Sequence, residues 1–357
     1  MKRWHILVPL LALSVTDCGD GGGPPRDLAD LPAARTSWSL AAATTSRGLE
    51  IFGFQGMGAG LSRNDAANDI YAYSVRDDAW RSVGKFPEPQ GRLSTSATVA
   101  GRGIWISGGY TIEESGTENT MAGDYSFDPE TGTLELVPGL GARVDDTVSI
   151  PWQDRYVLYI GGWTQLVTSM DVQITDTQTG MTVLGNSLPI AIAGHAGAAI
   201  DGKIVVCDGM TMENDADGKQ VFALSRRCFL GILGSKPEEL TWEEIPAHPG
   251  NPRYRMAAAG TRQHGARVVF AGGAEQLYRF DGKGFDGTPV QPSADIFSFD
   301  LDKRVWQVHA PLPVGVTDVR TLPEANGEFF VMGGMRQGGV VSQRAFAFKL
   351  GKPHDPD

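Results

Sequence analysis

The chain has 357 residues, with 42 Asp and Glu against 31 Lys and Arg, and a formal net charge of −11 at pH 7. A balance this acidic speaks against nucleic-acid binding and against general adhesion to anionic membranes, because both need a basic footprint. Forty-six glycines, 21 prolines and 41% hydrophobic residues suit a turn-rich β protein rather than a disordered chain.

Residues 1–17 read as a signal peptide. Met1-Lys2-Arg3 is basic, and Trp4 to Val15 (WHILVPLLALSV) is an apolar run too short for a membrane span, which needs roughly 20 residues. The stretch resembles a bacterial lipoprotein signal, with Cys18 as the lipidation site and residues 18–26 as a flexible glycine-rich tether. The expected location is the periplasm or the outer membrane and cell surface, with membrane contact only through the lipid. Asp17 stands where such signals carry Gly, Ala or Ser. An unlipidated secreted chain and a cytosolic chain with a chance apolar start are the alternatives.

From residue 27 to residue 350 an apolar, β-rich run stops six times at a glycine-centred doublet: LEIFGF, GIWISGGY, YVLYIGGW, KIVVCDGM, RVVFAGGA and FFVMGGM. The doublets begin at Gly53, Gly108, Gly161, Asp208, Gly272 and Gly333, so successive gaps are 55, 53, 47, 64 and 61 residues. An alternating strand such as DIYAYSVRDDAW (Asp69 to Trp80) or DIFSFDLDKRVW (Asp295 to Trp306) follows. A period near fifty is that of a four-stranded propeller blade. Small residues in SLAAATTS, STSATVAG, HAGAAI and MAAAGT suit inner strands crowded round a channel.

This order resembles the kelch repeat: a diglycine ends the second strand, an aromatic sits in the third and a Trp opens the fourth. Tyr71 with Trp80 and Phe297 with Trp306 match best, whereas Leu134 and Met181 replace the Trp in blades two and three. The resemblance implies an all-β, six-bladed kelch-type β-propeller with four antiparallel strands per blade. The sixth unit ends at its third strand, Arg344 to Leu350, leaving the polar tail 351–357. Its missing strand is expected from Asp27 to Arg35 (DLADLPAAR), which resembles the strand-four endings KFPEPQGR and LVPGLGAR.

Cys207 ends one strand and Cys228 starts the next, so the pair is placed to bridge an antiparallel hairpin in an oxidising envelope. Two buried thiols are the other reading. The long, dissimilar loops between second and third strands mark one face as the binding face. A basic residue recurs where inner strands begin: Arg35, Arg92, Arg143, Arg253 or Arg255, and Arg320, with His195 in blade four. A partial ring of arginines would favour a carboxylate-bearing ligand. Alternatively they bond neighbouring carbonyls or acids such as Asp145, Asp146 and Asp318.

Signs of catalysis are sparse. The six histidines lack ligand spacing, so neither a metal nor any other cofactor is expected. ENDADG (Glu213 to Gly218) has Leu224 where a calcium loop needs a bidentate acid. Galactose oxidase has a similar central domain, but no Tyr-His dipeptide of its copper site occurs here. Val148 to Trp163 and Phe270 to Ala274 look like blade segments of the exported kelch mutarotases that interconvert N-acetylneuraminate anomers. That family places a Glu just after a doublet and an Arg soon after. Here Met210 holds the Glu position, the nearest acid is Glu213, and the Arg is Arg226. The sequence therefore points to a monomeric, non-catalytic platform for a glycan or protein partner, with a sugar mutarotase or epimerase as the alternative.

Overall fold

The computed structural model describes residues 22–101, 103–137 and 144–351. The signal segment, Cys18, the first tether residues, Arg143 and residues 352–357 lie outside the described residues. The described chain folds into six four-stranded antiparallel sheets, taken in sequence order round an axis. Blade 1 runs outward from the axis as Ser39–Thr45, Gly48–Phe54, Asp69–Ser74 and Ala79–Lys85. The inner strands of blades 2 to 5 are Ser96–Ala100, Val148–Trp152, Ala196–Ile200 and Ala257–Thr261. Blade 6 takes Glu324–Ala325, Glu328–Met332 and Ala345–Phe348 from the end of the sequence and its outermost strand, Arg26–Leu28, from the beginning. Arg26 pairs with Ala347 and Leu28 with Ala345, so the ring closes through the N-terminal segment.

The second strand of each blade is covered on both faces by its neighbours, which is why its centre is a run of consecutive apolar residues, with charged residues such as Glu50 and Arg267 toward its start. Val268, Val269 and Phe270 of blade 5 are fully buried. Large aromatics fill the wedge that widens away from the axis. The indole nitrogens of Trp80, Trp242 and Trp306 donate to the carbonyls of Ala29, Asn186 and Pro246, each just past the outer strand of the preceding blade.

The doublets are the blade-to-blade clasp. Both members of each adopt left-handed backbone: Gly108 and Gly109, Gly161 and Gly162, Asp208 and Gly209, Gly272 and Gly273, Gly333 and Gly334. Blade 1 corrects the sequence reading, because its left-handed pair is Gln55 and Gly56 (φ 57° and 92°), whereas Gly53 lies within the strand Gly48–Phe54. In every blade the second member's N–H donates to a carbonyl on the approach to the next inner strand. The acceptors are Arg92, Val144, Ile192, Arg253, Val316 and, closing the circle, Arg35 at 2.8 Å from Gly334. A Cβ on Gly56 would meet the Thr36 carbonyl at 2.7 Å, and one on Gly209 the Ala193 carbonyl at 2.8 Å. The close approach explains the glycine.

Candidate binding face

The doublets launch the loops of one face. Three of these loops carry small hairpins: Tyr110–Ile112 with Glu118–Thr120, Met210–Asn214 with Gln220–Leu224, and Met335–Arg336 with Val340–Val341. In blade 4, Cys207 and Cys228 are register partners at the root of the second hairpin, buried and joined at S–S 2.06 Å.

At the axis on this side, one residue per blade takes left-handed backbone just before the inner strand. These are Ser37, Ser94, Asp146, Gly194, Arg255 and Asp318, with φ between 51° and 62°. The N–H groups of Ser37, Ser94, Gly194, Arg255 and Asp318 donate to the carbonyl of the equivalent residue in the preceding blade, at 2.8–3.1 Å. Side chains then bar the channel. Arg320 of blade 6 reaches Ser94 of blade 2 at 2.6 Å and Asp146 of blade 3, while its Nε donates to Asp318 at 2.5 Å. Arg255 of blade 5 donates to Asp146 at 2.8 Å and lies 3.6 Å from Asp318. The Tyr254 hydroxyl also donates to Asp146, its ring lying where any side chain on Gly194 would be. Burial alone would raise the Asp146 carboxyl, but Arg255 and Arg320 outweigh it and hold it well below the usual range. Beyond the bars, a cavity of about 290 Å³ is lined by the small inner-strand residues, with Arg320 at its wall.

The recurring arginines therefore do not form an open ring. Arg35 is buried and pairs with Asp69 at 2.7 Å, and Arg92 pairs with Glu88 at 2.8 Å and donates to the carbonyls of Gly108 and Gly123. Both guanidiniums lie over blade tyrosines, Tyr71 and Tyr125. Arg253, rather than Arg255, is their equivalent in blade 5, paired with Asp295 and Glu275. His195 is buried with neither ring nitrogen hydrogen-bonded, and burial lowers its pKa to about 4. Its Cε1 lies 3.0 Å from where a Cβ on Gly161 would be, so the ring reaches toward blade 3, and the residue lines the axial cavity together with Arg320. Glu213 is exposed on the blade-4 hairpin, bordering a depression of about 430 Å³ that Arg226 and Arg227 also line.

Above the bars lies a shallow bowl that the sequence reading missed. Asp145 accepts from Thr120 Oγ1 at 2.8 Å and its backbone pairs with Trp163, where the third-blade loop begins. Gln165 ties that loop to the hairpin of the preceding blade, accepting from Thr120 N at 2.6 Å and donating to the Glu118 carbonyl at 2.8 Å. Trp163 packs edge-on against Phe222 (5.9 Å), and Phe222 stacks on Phe285 (5.4 Å), whose other neighbour is the Arg279 guanidinium at 5.6 Å. Phe222 and Phe285 are 41% and 49% exposed, and Leu166 in the third-blade loop is 77% exposed. Burial, then Asp146, pushes Asp145 well above the carboxylate range. Burial also raises Glu118, opposed by Arg255 and Arg279 and reinforced by Asp146. Tyr110 and Trp163 were findable as the residues following each doublet. Phe222 and Phe285 stood out only as aromatics in polar loops.

The fold and its repeated clasp define a kelch-repeat β-propeller of six blades. No family model matches the chain. A stretch of 260 residues, 70% of the chain, is 25% identical to human Kelch-like protein 34, and the chain spans about a third of that relative's length (35%). The solved structure of YjhT superposes with a TM-score of 0.72 over 92% of this chain and 99% of its own, at 15% identity, a likeness of fold.

Proposed function

We propose that this chain is an exported, lipid-anchored kelch propeller that acts as a non-catalytic platform, holding a glycan or protein partner on its loop face. The observation that supports this reading is the bowl. Non-repeating loops of four successive blades converge there and leave a cluster of aromatic and aliphatic side chains uncovered, as binding surfaces do. The test is a glycan array together with a displayed peptide library, each probed with residues 22–351 and with Phe222→Ala. A ligand lost in the variant supports the platform, and a chain that binds neither class refutes it. Export rests on the N-terminal signal. Cys18→Ser should release the protein from the membrane fraction, and unchanged association would refute the anchor.

One observation favours a second reading, a sugar mutarotase. The blade-4 hairpin brings Glu213 to the same depression as Arg226, so an acid and a carboxylate-binding cation lie together although thirteen positions separate them in sequence. NMR of freshly dissolved sugar anomers, sialic acid included, checks it. Equilibration accelerated by the protein and lost in Glu213→Gln would establish this activity.

A further inference from the structure

Among the described residues, the outer strand of every blade is the last of its sheet, so one of its edges is left unpaired. Five of these strands carry or adjoin charge: Arg81 in blade 1, Glu135 in blade 2, Glu243 in blade 4, Arg304 leading into Val305–His309 of blade 5, and Arg26 in blade 6. Such charges ordinarily keep a free edge from pairing with another chain. Blade 3 is the exception. Its outer strand, Thr182–Leu184, is exposed throughout, and the chain has no Asp, Glu, Lys or Arg between Asp176 and Asp201. Met181 and Leu184 are each 66% exposed.

The ladder within the blade fixes which backbone groups of this strand face outward. Ile174 is the register partner of Val183, and Gln173 that of Leu184. The Gly185 N–H donates to the Val172 carbonyl at 2.8 Å, and the Asp176 N–H to the Met181 carbonyl at 2.9 Å. Bonding pairs alternate along an antiparallel ladder, so Met181, Val183 and Gly185 bond inward while Thr182 and Leu184 turn their N–H and C=O groups away from the blade. Those outward groups are self-complementary. A second copy laid antiparallel with Val183 opposite its own counterpart sets Thr182 of each chain against Leu184 of the other, and both residues of each such pair face the partner. Val183 then meets Val183 in the close, non-hydrogen-bonded position, where apolar side chains pack. On a charged edge the same two-fold operation sets like charges side by side or nearly so, which selects blade 3 for self-pairing.

We propose that two copies of this chain pair edge to edge through Thr182–Leu184 of blade 3, antiparallel about a two-fold axis at Val183, so that the two blades form one continuous sheet. The monomer expected from the sequence is then the dissociated state. Three residues of pairing fall short of what a permanent interface buries, so the association is reversible and concentration-dependent. The proposal does not rest on the platform reading, because the edge lies on the rim and the bowl on a flat side.

Sedimentation velocity of the Cys18→Ser protein over a wide range of concentration should show a monomer–dimer equilibrium. Val183→Lys sets two ammonium groups against each other, and Leu184→Pro removes an outward N–H while sparing the bonds within the blade. Each should weaken association at least tenfold with an unchanged melting temperature. Val308→Lys, on the exposed outer strand of blade 5, should leave association as it was. Oxidising Val183→Cys should join two chains, because directly opposed residues of this kind lie about 4.5 Å apart at Cα, close enough for a disulfide. Cys207 and Cys228 are already bonded to each other and do not compete. A monomer at every concentration would overturn the proposal, as would a dimer that survives Val183→Lys or that Val183→Cys fails to cross-link. Loss of loop-face ligands in Phe222→Ala leaves this outcome untouched, so the two readings fail separately.

Discussion

Arg92 shows how one residue type serves two ends in this ring. Its guanidinium holds Glu88 and two backbone carbonyls inside blade 2, all at low exposure. Truncating it strands a carboxylate and leaves the carbonyls short of donors. Arg92→Ala is expected to lower stability by about 2–4 kcal/mol, read by denaturant unfolding, with ligand affinity unchanged. Asp124 gives the pH dependence. It is fully buried, and burial raises its pKa to about 6 despite bonds from Ser107 and Tyr159. The native carboxyl thus keeps a proton that an unfolded Asp releases near pH 3.9. Its contribution is complete below that pH, is lost as pH rises through about 6, and amounts to about 3 kcal/mol. Asp124→Asn should remove that decline, and parallel pH–stability curves for wild type and variant would count against it. At this scale the sequence was least legible. Arginines that recur at one position announce a role, but their partners come from elements tens of residues away, as Asp69 does for Arg35. The charge balance at the axis depends on side chains that cross the channel from blades 5 and 6 to Asp146 of blade 3.

Strands and hairpins were more legible, because their signals are local. Alternation and apolar runs placed the blades, and the small inner-strand residues are where a crowded axis needs them. The one slip, Gly53 for Gln55, has a physical reason: a left-handed doublet is recognised by glycine, and blade 1 puts Gln in its first position. With Gln55 as the start, the spacing to Gly108 becomes 53, equal to the next. The blade-4 hairpin is the element most dependent on a covalent tie. Its strands carry exposed residues, and its root is clamped where Cys207 meets Cys228, a separation of 21 residues. Replacing both cysteines by Ala should cost about 2–4 kcal/mol. Hydrogen exchange should locate the loosening in residues 207–228, and uniform loss across all blades would contradict a local clamp.

For the whole molecule, stability is that of a closed circle. Six doublet-to-carbonyl bonds and one outer strand from the other end of the sequence complete it. Removing residues 18–35 takes away Arg26–Leu28, the buried Leu31 and the Arg35 carbonyl that receives Gly334, exposing the edge of Ala345–Phe348. The truncated protein should melt lower and associate in size-exclusion runs. Melting identical to the full chain would show that closure contributes little. The strand that closes the ring also lies at its circumference, farthest from the axis. A lipid at Cys18 would accordingly suspend the disc from its rim, like a tag hung by its edge. Neither flat side would then be pressed on the bilayer, and the bowl could swing toward partners along the membrane or away from it.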